Sequence, residues 1–215
     1  MKNLFKLTPV ILFLALVSCS KDVELPGNPF APANGKLSPN SPVQFNASID
    51  GVPYSIVLDT TYMPLTNQGG VSISADTIGR IYHSIIQDTI LNEPALWVHI
   101  GMNRFRVDFP SHILPTDEEF DAYFHANNRF YADTNDVEME GVAFFMRDTI
   151  EDVIWSTLGP QPGSTFRVDQ IATDTTFIGQ HYIKARMVFK CILYNGSGGT
   201  KNLTNGVFVG LFKNT

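Results

Sequence analysis

Two cysteines, five histidines, two tryptophans and a recurring Asp-Thr pair are the residues of this 215-residue chain whose types and spacing could do chemistry. Cys19 closes an apolar run, with Val10 to Leu16 as its core, Lys2 and Lys6 ahead of it and the small Ser18 just before the thiol. That order is a secretory leader, and the uncharged stretch from Leu7 to Ser20 is shorter than the roughly 20 residues that span a bilayer. Asp59-Thr60-Thr61, Asp76-Thr77-Ile78, Asp88-Thr89-Ile90, Asp148-Thr149-Ile150 and Asp174-Thr175-Thr176 repeat one pattern five times. With 14 Asp and 30 Ser plus Thr in the chain, chance predicts about one. A threonine behind an aspartate is either a hydroxyl offered for modification or a strand boundary, since Asp turns the chain and Thr starts strands.

Catalytic spacings are absent. His83, His99, His112, His125 and His181 are scattered with no i, i+4 pair, so no zinc-protease helix is formed. His99 shares a strand face with Ala95 and Trp97, the setting of a structural histidine. No serine elbow, phosphate loop or dinucleotide fingerprint occurs. Carboxylate partnerships are spatial and leave a hydrolase as an alternative. Asp133, Asn135, Asp136, Glu138 and Glu140 crowd together, yet without the glycine and closing glutamate of a calcium loop, so no metal and no cofactor is expected. Trp155, followed by Gly159, Pro160, Pro162 and Gly163, reads as the aromatic of a loop. Its ring either closes the core or, with Trp97 or Tyr54, stacks on a sugar; burial is the commoner fate of tryptophan.

Composition sets the frame. Cleaving a leader that holds Lys2 and Lys6 takes the net charge from −6 to −8, which excludes nucleic acid as a partner. Somewhat under 200 residues remain, one domain with a core able to stand without disulfides. Cys191 is then the sole remaining thiol, and no intrachain disulfide forms. The acids and bases are segregated: residues 108–152 carry 12 acids against Arg129 and Arg147, whereas five basic residues and no acid follow Asp174.

The positioning elements are strands. Residues 19–42 contain five prolines and no periodic pattern, a tether reaching up to roughly 60 Å. From residue 43 the chain alternates: Val43, Phe45, Ala47 and Ile49, an Asp50-Gly51 turn, then Val52 to Leu58, a hairpin signature. Further strands are expected at Val71 to Ala75, Ile78 to Ile86, Ala95 to Ile100, Phe105 to Phe109, Val137 to Met146, Thr165 to Gln170, Ile183 to Tyr194 and Val207 to Phe212. In the seventh of these after the hairpin, Ile183, Ala185, Met187, Phe189, Cys191 and Leu193 share one face and Lys184, Arg186 and Lys190 the other, which puts Cys191 inside. Asn195 to Asn205 reads as a loop. One helix is predicted from Thr116, which caps with Glu119 three residues on, to about Asn127, with Phe120, Tyr123 and Phe124 on one face against the sheet edge. The class is all-β, an antiparallel sandwich or calycin-like barrel with one short helix near 116–127, in a single domain over 43–215.

The junction Leu16-Val17-Ser18-Cys19 resembles a bacterial lipoprotein signal, which implies cleavage after residue 18 and acylation of Cys19. Lys21, Asp22 and Glu24 resemble the acidic signal that sends Bacteroidota lipoproteins to the outer face of the outer membrane. The Asp-Thr pattern resembles the O-glycosylation acceptor of the same phylum, implying sugar at Thr60, Thr77, Thr89, Thr149 and Thr175. Phe45 to Gly51, the run from Gly141 through Trp155 to Phe166 and the ending from Phe189 to Phe212 resemble Bacteroidota surface lipoproteins with an all-β domain of unknown function. The resemblance implies the fold class and an outer-membrane address, at the cell surface or the periplasmic face, with the membrane as partner through the lipid anchor; the role expected of the domain is binding or structural, toward glycan or envelope proteins, with a carbohydrate-binding accessory of a glycan-uptake system as the alternative. It carries over no catalytic residue.

Overall fold

Asp50 and Gly51 sit at φ 48° and 83°, the left-handed pair whose twist matches a two-residue hairpin. They join Val43–Ile49 (β1) to Val52–Leu58 (β2), paired from Ile49 with Val52 through Val43 with Leu58, as the alternation predicts. The computed structural model describes residues 36–58, 71–73, 78–87, 97–106, 115–125, 127–132, 141–148, 152–174 and 181–214. Cys19, the five candidate threonines and the acidic group at Asp133, Asn135, Asp136, Glu138 and Glu140 lie outside the described residues.

The remaining elements are Val71–Ile73 (β3), Ile78–Gln87 (β4), Trp97–Arg106 (β5), Asp117–Tyr123 (α1), Asn128–Arg129 (β6), Gly141–Asp148 (β7), Val153–Ser156 (β8), Thr165–Asp174 (β9), Tyr182–Tyr194 (β10) and Thr200–Lys213 (β11). Their ladders are antiparallel and join into one sheet ordered β2-β1-β11-β10-β8-β7-β5-β4-β3. The protein is therefore all-β with one short helix among the described residues, and the sheet does not close: β2 and β3 end this path, and β6 ends a branch that leaves β10 through β9. The sheet also branches. Along one side β10 carries β11; along the other it carries β9 from Tyr182 to Lys190 and β8 at Tyr194.

This branching turns two layers toward each other. Phe45 of β1 lies 5.7 Å from Phe144 of β7, Phe144 lies 5.3 Å from Phe189 of β10, and Phe189 lies 5.6 Å from Phe166 of β9. All four rings are buried, as are Ile183, Ala185, Met187, Cys191 and Leu193. The period-two alternation of β10 thus points its odd-numbered side chains into the core, as expected. The expected wet face is only partly wet. Lys184 and Arg186 are buried too: residues 37–41 cover Lys184, whose ammonium donates to the carbonyls of Pro39 and Ser41 while the Leu37 N–H donates to Gln170 Oε1 at 2.7 Å, and Arg186 pairs with Asp169 of β9. The last residues of the proline-rich stretch are part of the fold.

The capping box forms as predicted. Thr116 Oγ1 accepts from the Glu119 N–H at 3.2 Å, and Glu119 Oε2 accepts from the Thr116 N–H at 2.8 Å. Two expectations about this helix change. It stops at Tyr123, with Phe124 as C-cap, because Asn128 and Arg129 leave to pair with β9. It also plugs the interior rather than covering a sheet edge: Phe120 and Phe124 lie 5.0 and 5.5 Å from Tyr82 of β4, and Phe124 lies 4.9 Å from Phe212 of β11.

Other differences have local causes. Ala95 to Ile100 and Phe105 to Phe109, read as two strands, are largely one: Gly101 to Arg104 continue β5, held by β4 on one side and, at Gly101 to Asn103, by β7 on the other. The loop read at Asn195 to Asn205 ends at Gly199, since Thr200 to Asn202 pair with Tyr194 to Ile192. Trp155 stands on β8, a strand missed because four residues between turns show no clear period.

Candidate functional site

On the outer face of β10 the even residues Arg186, Val188 and Lys190 form the floor of a cleft of about 420 Å³. Its walls come from β9, with Thr165 and Arg167, from β11, with Asn205 and Val207, and from Asn128 of β6. Two irregularities in the ladders shape it. Arg186 pairs with Gln170 but Met187 pairs with Val168, leaving Asp169 as an extra residue on β9. Phe189 pairs with Gly206 but Cys191 with Leu203, so Thr204 and Asn205 together stand opposite Lys190. A bulge bends its strand and re-aims side chains. Asn205 takes φ 53° at the second bulge. Gly206 beside it has no room for a side chain, as a Cβ there would meet the Phe189 carbonyl oxygen at 2.8 Å.

The first bulge places Asp169 between two guanidinium groups. Its carboxylate accepts from Arg186 Nη1 and from Arg167 Nη2. Arg186 is 8% exposed and Asp169 17%, whereas Arg167 is 55% exposed. Arg186 and Asp169 are thus a built, largely dry pair, and Arg167 reaches past it into solvent. Lys190 is exposed and makes no ion pair among the described residues. It stands opposite Thr165, with Arg167 diagonal to it, where like charges on one sheet face repel. Three cations against one carboxylate leave the cleft positive on a chain of net charge −6.

A smaller cleft of about 290 Å³ lies between Arg129 to Ala132 and the Gly159 to Ser164 loop. Phe130 beside it is 83% exposed. Its main amide is already committed: Gln161 donates to the carbonyls of Thr157 and Ile192 and accepts from the Ile192 N–H at 3.0 Å, closing the β10 ladder where β8 ends. The smaller cleft holds one cation, Arg129, which donates to the Tyr123 carbonyl, whereas the larger one gathers Arg167, Arg186 and Lys190, with Lys190 left without a carboxylate among the described residues.

The candidate sugar-stacking residues are not brought together. Trp155 is 6% exposed and belongs to the core, with the Lys201 ammonium 4.2 Å from its ring centroid, so its ring offers no platform. Tyr54 is half-buried on β2 and packs on the core, and β1, β11 and β10 separate that strand from β8. Trp97 begins β5, and its side chain lies outside the described residues. His181 does not face the cleft: its Nε2 lies 2.5 Å from Asp121 of α1 and ties the start of β10 to the helix.

Cys191 is 4% exposed. Burial pushes its thiol up to about 12, with a hydrogen bond to Tyr131 acting the other way. In a Cys19→Ser protein, which retains this single thiol, iodoacetamide at pH 8 should leave the folded chain unalkylated, and denaturant should restore full reaction by intact mass; rapid labelling of the native protein would show the thiol to be open. Since folding raises this pKa, the associated stability is complete below the ordinary thiol value of 9.0 and declines as pH rises toward 12.

What sequence reading missed here is Arg167, Asp169, Asn128 and Asn205. The visible signal was the run of cations after Asp174 without an acid. Among the described residues no group of His, Cys, Asp and Glu is placed to hold a metal ion, and no helix is long and apolar enough to cross a membrane. No family model, no curated protein and no solved structure matches the chain.

Proposed function

We propose that this chain is an exported protein held at the outer membrane by lipid on Cys19, whose β domain is a binding module that takes its ligand in the cleft of β9, β10 and β11. The observation that carries the binding half is the positive cleft. Like charges gathered on one sheet face break a local rule of stability, and such breaks concentrate at functional sites. The leader and the proline-rich stretch support the address. The five Asp-Thr pairs support O-glycosylation by their place in the sequence: Thr60, Thr77, Thr89, Thr149 and Thr175 each fall within two residues of an end of β2, β4, β7 or β9, and strand ends are where added groups are best tolerated.

The address is tested by detergent partition of the chain expressed in a bacterium with an outer membrane. Wild type should enter the detergent phase and incorporate an alkyne-tagged fatty acid, whereas Cys19→Ser should lose the tag and remain aqueous. A wild-type chain that takes up no tag overturns the anchor.

A further inference from the structure

Resting on the reading of the cleft as a binding site, we infer that its ligand is a saccharide carrying a carboxylate, recognised by charge and amide groups rather than by aromatic stacking. Arg167 presents a guanidinium fork that is half solvated and anchored at one nitrogen by Asp169. A planar carboxylate meets such a fork with two parallel hydrogen bonds. Lys190 supplies a second, mobile charge on the diagonal. Around them Asn128, Asn205 and Thr165 offer both donors and acceptors, the groups that vicinal hydroxyls pair with. Val188 and Val207 leave a small apolar floor between them.

The geometry disfavours other anions. An extended acidic peptide would seek an unpaired strand edge, but β10 is hydrogen-bonded on both sides beneath this cleft, by β9 and by β11. Bare phosphate is best held by a nest of backbone N–H groups, whereas the groups here are side chains spread over a cleft of about 420 Å³, within the usual range for small-molecule sites.

The test is calorimetry on the folded chain with trigalacturonate, its neutral methyl ester, inorganic phosphate and a poly-glutamate peptide. Trigalacturonate should bind, weaken with salt, and lose about tenfold in affinity with Arg167→Gln and with Lys190→Gln. Both substituted side chains are exposed, so the variants should keep the melting temperature of wild type. Equal binding of the neutral ester, or preference for phosphate or peptide with loss on Arg167→Gln, overturns the saccharide acid and leaves the cleft a binding site. No binding by any of the four probes, with the cleft's amide signals unmoved in NMR spectra, overturns both.

Discussion

Gly210→Ala should destabilise the protein by about 2 to 3 kcal/mol, lowering its melting temperature by roughly 5 to 10 °C for a domain of this size. The sign opposes the usual one, because alanine in place of glycine ordinarily stabilises by restricting the unfolded chain. Here a Cβ would stand 2.2 Å from Phe208 Cε1 and 2.4 Å from Ser84 Oγ. Ser84 is fully buried on β4, and Phe208 is fully buried on β11. These strands are far apart in the ladder order, β11 near one end and β4 near the other, so their approach at Gly210 is where the open sheet folds over on itself. No φ strain is involved, since Gly210 lies outside the left-handed region. Ser84→Gly in the same chain should return about 1 kcal/mol by removing one of the two obstacles. Thermal melts of the two variants against wild type check this; a Gly210→Ala protein as stable as wild type would mean the two strands are not in contact there.

Features legible from sequence are those set by near neighbours. The Asp50-Gly51 turn, the Thr116 and Glu119 capping box and the alternation that buries Cys191 depend on residues within a few positions of one another. Features that escaped depend on distant strands. Gly101 to Arg104 resemble a turn until β4 and β7 pair with them. Lys184 and Arg186 read as solvated until residues 37–41 and Asp169 cover them. The cleft was out of reach for the same reason: Arg167, Arg186 and Asn205 meet only through sheet topology, and two bulges re-aim the side chains in a way that no alternation pattern encodes. Trp155 was misplaced on a loop because glycine and proline after it outweighed the short strand before them.

Asp169 holds fold and cleft together, and its replacement should move them in opposite directions. Asp169→Asn keeps the shape but removes the countercharge from Arg186, which is 8% exposed. A buried ion deprived of its partner costs about 3 kcal/mol or more, whereas the exposed Arg167 contact with the same carboxylate contributes little. Arg186→Met added to Asp169→Asn should recover most of the loss, since an apolar side chain of similar length needs no partner and buried pairs are often replaced at small cost. The cleft responds with the opposite sign. Without Asp169 the guanidinium of Arg167 is released from its internal acceptor and the local charge rises by one, so trigalacturonate should bind several-fold more tightly to Asp169→Asn at a temperature where the variant is folded. Denaturant unfolding and calorimetry on the same preparations separate the two effects. A variant that loses stability and affinity in parallel would make Asp169 a structural residue alone, and a variant unchanged in stability would mean that Arg186 is solvated in the native protein.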